Sequence, residues 1–374
     1  MRLGRQVLWM ACWAGWVQPV VADWALNLPA PKSDIAVRIY DIHTLILLIC
    51  LGIFVVVFGV MFYALFKHRK SVGHQAHPFH EHTSVEVIWT VIPLLILVGM
   101  AWPATRAVLD QKDTANPDLT IKVTGYQWKW EYDYLQDGVK FISASSTPAD
   151  QIANQAAKGP HYLLEVDEPM VVPVGKKVRI LLTSHDVIHA WWVPELGVKQ
   201  DAIPGFIRDT WFRANEIGTY RGQCAELCGR GHAFMPIVVE VKREVDYQAW
   251  LAAKQAGKQA KAVAAAAAAG KSFGPAELKA RGEKVYAAHC AACHQADGKG
   301  LPGVFPALAG SRMVNGPAAA HIDRVLHGKD GSAMTAFQDQ LDDADLAAVI
   351  TWERMAWGNT GSPVQPTDVK VLRK

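Results

Sequence analysis

The feature that most limits what this chain can become is a run of 23 residues without a charge, residues 44–66. As a helix, such a run crosses the roughly 30 Å hydrocarbon layer of a bilayer with some tilt. A second run, residues 87–104, adds 18 uncharged residues. It contains Pro93 and Pro103, which a membrane helix tolerates better than a soluble one. Two buried helices of a large soluble core are the competing reading, and the length and missing charges weigh against it. The expectation is a transmembrane hairpin, with helices over about 44–66 and 86–105. Between them stand Lys67, His68, Arg69 and Lys70. A basic cluster beside a span favours the cytoplasmic side, which puts everything after Arg106 outside.

Upstream, Arg2 and Arg5 precede an apolar stretch over residues 7–17, and Val20, Val21 and Ala22 end in a small residue. This is a secretory signal pattern over 1–22 with cleavage after Ala22; an uncleaved anchor is the alternative. A chain of 374 residues exceeds one ordinary core, so further units are expected beyond the hairpin region 23–110. The net charge of +3 is small, and no Lys or Arg run alternates with aromatics, which excludes a nucleic-acid groove.

After the hairpin the apolar period becomes two. Leu119, Ile121 and Val123 alternate with Thr120, Lys122 and Thr124, and the same spacing of two recurs at Val178, Ile180 and Leu182 and at Ile237, Val239 and Val241. Gly, Pro and Asp between them mark turns, so residues 111–245 read as an all-β sandwich or barrel with half-buried strands. Residues 246–271 form a Lys, Gln and Ala tract ending in an Ala run over 264–269. They read as a linker that supplies reach, helical or flexible, because the Ala run favours helix but offers no apolar face. The last unit, 272–374, is small and mostly α-helical. Its C-terminal helix places Leu346, Val349 and Ile350 on one face, with Asp residues at its start.

Two Cys, a His and a Met crowd into Cys224-Ala225-Glu226-Leu227-Cys228-Gly229-Arg230-Gly231-His232-Ala233-Phe234-Met235. His189, in the loop Ser184-His185-Asp186-Val187-Ile188-His189, could be brought alongside. Thiolate and thioether select a soft ion such as copper, with zinc as the competitor. A mononuclear blue-copper site needs one Cys, so the second suggests two coppers bridged by both sulfurs, with Met235 and the Glu226 carbonyl as weak ligands. A Cys224–Cys228 disulfide is the other use of these thiols in an oxidising compartment.

The pattern Cys-x-Glu-x-Cys-x-x-x-His-x-x-Met resembles the binuclear copper (CuA) motif of cytochrome c oxidase subunit II, and Asp201-Ala202-Ile203-Pro204-Gly205 fits the same family. The resemblance covers the hairpin and the β unit in order. It implies a cupredoxin Greek-key barrel and copper-ligand roles for His189, Cys224, Glu226, Cys228, His232 and Met235. It also implies that the Glu226 carboxylate reaches a magnesium ion at the subunit I interface. In the run Tyr126-Gln127-Trp128-Lys129-Trp130-Glu131-Tyr132, which resembles the family's aromatic strand, Trp128 is where electrons would enter; ordinary packing is its plain alternative. Glu86, at the start of the second span, matches the family's glutamate at the mouth of a proton channel; a solvated helix-start carboxylate is the alternative.

Cys290-Ala291-Ala292-Cys293-His294 is a haem c attachment pattern: two thiols add across vinyl groups and the adjacent His binds iron, a simple redox pair being the alternative. Gly331-Ser332-Ala333-Met334-Thr335-Ala336-Phe337 resembles the distal loop of class I cytochromes c, which makes Met334 the second axial ligand, with Met313 or His327 in reserve. Thr335 stands where that family often has Pro.

Taken together, the chain resembles subunit II of a caa-type haem–copper oxidase with a fused cytochrome c domain. That resemblance implies the electron-input subunit of a proton-pumping respiratory oxidase in a bacterial inner membrane, with both cofactor units on the periplasmic side. Its partners would be subunit I, where oxygen is reduced to water, subunit III, and a soluble or membrane cytochrome c as donor. His185 stands beside Asp186 where acidic docking residues are expected, so the tethered haem would replace part of that docking. A nitric oxide reductase subunit, a copper-delivery protein and a quinol-oxidase subunit II are the rivals; the last lacks copper ligands.

Overall fold

The computed structural model describes residues 27–75 and 80–373, apart from 269, 301, 304, 330–333, 335 and 339. The segment read as a secretory signal, 1–22, lies outside the described residues.

Helix α1 (Asp34–Lys67) opens at Ser33, whose hydroxyl accepts the Ala36 amide at 3.0 Å, with Asp34 in the first turn to suit the positive end of the dipole. Helix α2 (Thr83–Lys112) continues through both Pro93 and Pro103. Both helices outrun the uncharged stretches, because the charged and polar residues flanking those stretches keep helical geometry beyond the apolar layer. Their apolar side chains face outward, with Val60, Phe66, Leu95 and Val98 at 62–67% exposed. A surface of that size and character is one that lipid covers. An Arg38–Asp110 ion pair ties the two outer ends together. The Trp211 indole N–H donates to the Asp110 carbonyl at 3.0 Å, and the Ser33 hydroxyl to the Leu196 carbonyl at 2.7 Å. The hairpin is thereby stitched to the β unit at the end where Arg38 meets Asp110.

The β unit has ten strands: β1 (Leu119–Tyr126), β2 (Lys129–Tyr134), β3 (Val139–Ser143), β4 (Met170–Pro173), β5 (Lys177–Ser184), β6 (His189–Val193), β7 (Val198–Ala202), β8 (Arg208–Arg213), β9 (Gly218–Cys224) and β10 (Pro236–Lys242). They form two five-stranded sheets, ordered β3-β2-β1-β5-β8 and β4-β10-β9-β6-β7. Pairing is antiparallel except between β1 and β5 and between β10 and β4, the mixed layout of a cupredoxin barrel. Trp130, Tyr132, Ile180, Trp191, Phe212 and Val239 are fully buried between the sheets. Each such side chain contributes about 1.5–3 kcal/mol relative to exposure. The alternation expected of a half-buried strand holds for β5 but not for β1, whose Thr120 and Thr124 are buried as well.

Most of the Lys, Gln and Ala tract, residues 246–268, lies within one helix, α3 (Glu244–Ala268). Its first turns are part of the barrel: Tyr247 and Leu251 are buried in the core, and the Trp250 ring packs 5.2 Å from that of Tyr134. The C-terminal unit contains α4 (Pro275–His289), α5 (Ala318–His327), α6 (Asp343–Met355) and α7 (Pro366–Leu372). Helices α4 and α6 cross so closely that a Cβ at Gly282 would stand 2.0 Å from the Ala348 carbonyl oxygen. Leu278, Tyr286, Leu326, Leu346 and Ile350 close the core around that crossing.

Candidate metal centre and haem attachment site

Strands β10, β9 and β6 are neighbours, and antiparallel pairing brings the end of β9 beside the starts of β6 and β10. Cys224 is the last residue of β9, His189 the first of β6, and Met235 immediately precedes β10. The loop between Cys224 and Met235 carries Cys228 and His232 into the same corner. Nitrogen or sulfur atoms of His189, Cys224 and Cys228 all lie within 4.8 Å of one another. Cys224 Sγ is 3.9 Å from His189 Nδ1 and 3.3 Å from the Glu226 carbonyl oxygen. Cys228 Sγ is 3.5 Å from both His232 Nδ1 and Met235 Sδ. The two sulfurs are 3.9 Å apart, nearly twice the ~2.05 Å of a disulfide, and both thiols are free. All six residues expected at the centre are thus gathered there, Glu226 through its main chain.

Electrostatics at the centre follow from two thiols in one buried pocket. The Cys228 S–H hydrogen bond, aided by His189 and the Ala190 amide, draws the Cys224 thiol far down as a thiolate, against its burial. That thiolate, together with burial, pushes Cys228 up. Two adjacent thiolates repel, so only a bound cation would release the second proton. Burial disfavours a charged His189, yet hydrogen bonds with Asp186 and Cys224 outweigh it and raise its pKa. Asp186 Oδ1 accepts from His189 Nε2 at 2.8 Å, so Nδ1 is the ring nitrogen turned toward Cys224 and the one that would meet a metal. Burial likewise opposes ionised Asp186, but His189 and the amides of Gln127 and Val187 hold its pKa down.

Trp128 lies over this loop. Its indole N–H donates to the Cys228 carbonyl at 3.1 Å, and the Gln127 amide group donates to the same oxygen at 2.7 Å. Gly231 makes room, since a Cβ there would fall 2.2 Å from the indole ring. Glycine is also required at Gly229, where φ is +112°. On β1, a Cβ at Gly125 would meet the His189 ring at 2.8 Å.

In the C-terminal unit, Cys290 ends α4, and Ala291–His294 form one helical turn, so both thiols and the imidazole lie together. His294 is buried, and its Nδ1 donates to the Pro306 carbonyl at 2.9 Å, leaving Nε2 with the lone pair that an iron would need. Burial pushes both Cys290 and Cys293 up. Met334 packs against the same core, between residues outside the description. Glu86 lies in the first turn of α2, where its carboxylate accepts the His82 amide at 3.1 Å.

Three family models match the chain. Cytochrome C oxidase subunit II, transmembrane domain, covers residues 21–106, and its periplasmic domain 119–242. Cytochrome C oxidase, cbb3-type, subunit III, covers 277–352. Cytochrome c oxidase subunit 2 of Cereibacter sphaeroides is 37% identical over 238 residues, which is 60% of this chain and 78% of the relative. The chain belongs to the cytochrome c oxidase subunit II family. The subunit 2 of Artemia franciscana is 39% identical over 227 residues, 60% of this chain and 93% of the relative. The solved periplasmic domain of subunit II of the Bradyrhizobium japonicum cytochrome oxidase is 43% identical and covers 38% of this chain and 98% of its own, with a TM-score of 0.35. As a cytochrome c oxidase subunit II, the chain is membrane-anchored with a periplasmic β unit and works within an oxidase of several subunits. The family implies a CuA centre in the β unit, and the third match a haem c in the helical unit. The donors described fit both groups: two thiols, two imidazoles and a thioether for copper, and a thiol pair with an oriented imidazole for haem.

Three contributors were not recognised in the sequence. Asp186 as the partner of His189 was signalled only by its spacing three residues earlier. Gly231 as the seat of Trp128, and Pro306 as the acceptor for His294, have no motif of their own.

Proposed function

We propose that this chain is the electron-input subunit of a proton-pumping cytochrome c oxidase in a bacterial inner membrane, with subunits I and III as partners and a soluble or membrane cytochrome c as donor. When bound, haem c and the copper pair carry single electrons from that donor toward subunit I, where oxygen is reduced to water. The chain's own residues hold, orient and insulate these groups. Cys290, Cys293 and His294 would attach and ligate the haem, with Met334 as the opposite ligand. His189, Cys224, Glu226, Cys228, His232 and Met235 would hold copper, and the half-buried Glu226 carboxylate is the group for a magnesium ion facing subunit I.

The observation that carries this reading is the convergence of two thiols on two imidazoles and a thioether in a buried corner. Cys224 and Cys228 together would supply the thiolate charge that holds the copper, in a corner closed to water. Trp128, hydrogen-bonded to the carbonyl of Cys228, is the residue through which electrons would reach this corner. Glu86, on the loop side of the hairpin, would stand at the mouth of a proton path into subunit I.

Replacing Cys224 by Ser in the assembled complex tests this order. Haem c should then remain reduced during turnover while oxygen consumption falls to background. Wild-type turnover by Cys224→Ser would refute the reading.

A further inference from the structure

The turn between β1 and β2 carries Trp128 and leads into Lys129, and both meet the C-terminal unit. The Trp128 ring stands edge-on to that of Phe305, with centroids 5.8 Å apart. Phe305 directly precedes Pro306, whose carbonyl holds His294. The Lys129 ammonium lies 5.6 Å from the Phe337 ring and 5.9 Å from that of Tyr126, and burial between them lowers its pKa. Beside it, the His185 ring packs 5.0 Å from Tyr126. The face of the β unit around Trp128 is therefore covered from within the chain.

We propose that Phe305 and Phe337 dock the C-terminal unit on Trp128 and Lys129, making that unit the resident occupant of this face. This deepens the functional reading above and rests on it. A short run of contacts joins the two centres: His294 to the Pro306 carbonyl, Phe305 to Trp128, and Trp128 to the Cys228 carbonyl. An external donor would then be received by the C-terminal unit rather than by Trp128. Phe305 is a positioning residue in this scheme, since it acts through Trp128 and through the loop that orients His294. Lys129 contributes a cation over an aromatic face, an attraction that strengthens as water is excluded.

The test follows acylation of Lys129 by an amine-reactive reagent in the intact oxidase complex, read by mass spectrometry, with the exposed Lys140 of the same sheet as internal reference. In the wild type Lys129 should label far more slowly than Lys140. Phe305→Ala should label it roughly two- to tenfold faster, the range expected when one aromatic edge contact is lost. Phe305→Leu, which keeps bulk without the ring edge, should fall between and guards against a folding failure. Copper and haem contents are measured on the same samples. Equal labelling of Lys129 and Lys140 in a wild-type complex with both groups bound overturns the docking. Unchanged Lys129 labelling in Phe305→Ala with unchanged contents does the same. Copper or haem missing from the wild-type complex overturns the functional reading, and with it the proposal.

Discussion

Asp186 Oδ1 stands 2.8 Å from His189 Nε2, on the ring edge opposite the nitrogen that faces Cys224. The carboxylate therefore sets which nitrogen can meet a metal, without touching the metal itself. Partners of this kind typically contribute ten- to a hundredfold to metal affinity. Asp186→Asn keeps the shape but removes the charge, so copper affinity should fall by about tenfold in a chelator competition. Unchanged affinity would show that packing alone orients the imidazole.

Gly231 tests the fit between Trp128 and the ligand loop. An added methyl would lie 2.2 Å from the indole, so the ring or the loop must shift, which strains the bond to the Cys228 carbonyl. Overpacking of this sort costs about 1–3 kcal/mol. Gly231→Ala should lower the unfolding free energy of the β unit by that amount, read in a denaturant titration, and reduce its copper content. Gly257→Ala, in open space on α3, is the control and should do neither.

In the C-terminal unit the matching position is Gly282, against the Ala348 carbonyl. Gly282→Ala must push α4 from α6, and α4 leads directly into Cys290. The expected outcome is a loss of about 1–3 kcal/mol in that unit. Covalent haem, measured on denaturing gels by its peroxidase stain, should fall in parallel. A wild-type level of haem with unchanged stability would contradict the close crossing.

Asp209 links the exit of α2 to the barrel. It accepts from the Thr114 hydroxyl at 2.7 Å and from Arg179 at 2.6 Å. Burial alone would raise its pKa, but these two donors outweigh it and hold it below the usual carboxylate range. A lowered folded pKa makes the contribution complete above the unfolded value, near about 3.9, and removes it as pH falls through the folded one. Denaturant midpoints at about pH 6 and about pH 3 should therefore drop further in the wild type than in Asp209→Asn. Parallel drops would mean that Asp209 adds nothing to acid stability.

Much of this organisation was legible because its signals are concentrated. Soft donors crowded into residues 224–235 announce a metal loop before any fold is known, and the period of two at Val178, Ile180 and Leu182 returns as β5. The uncharged runs locate both spans but not their ends, since residues outside the apolar layer extend a helix at little cost. The tract over 246–271 misled for a different reason. Its Ala run has no docking face, whereas Tyr247, Trp250 and Leu251 at its start do, and that stripe becomes part of the barrel core. Asp186 and Phe305 were opaque as site residues. A carboxylate or a phenyl ring acquires meaning only from what the chain folds against it, and for Phe305 that neighbour is about 180 positions away in sequence, on another unit.

The central claim is that two sulfurs, two imidazoles and a thioether hold a copper pair in the same chain as a covalent haem. Metal analysis with paramagnetic resonance on the purified chain tests it most directly. The account predicts about two coppers and one iron per chain, with a mixed-valence signal in which one unpaired electron is shared between both coppers. A single zinc ion, or Cys224 and Cys228 recovered joined to each other, would contradict it.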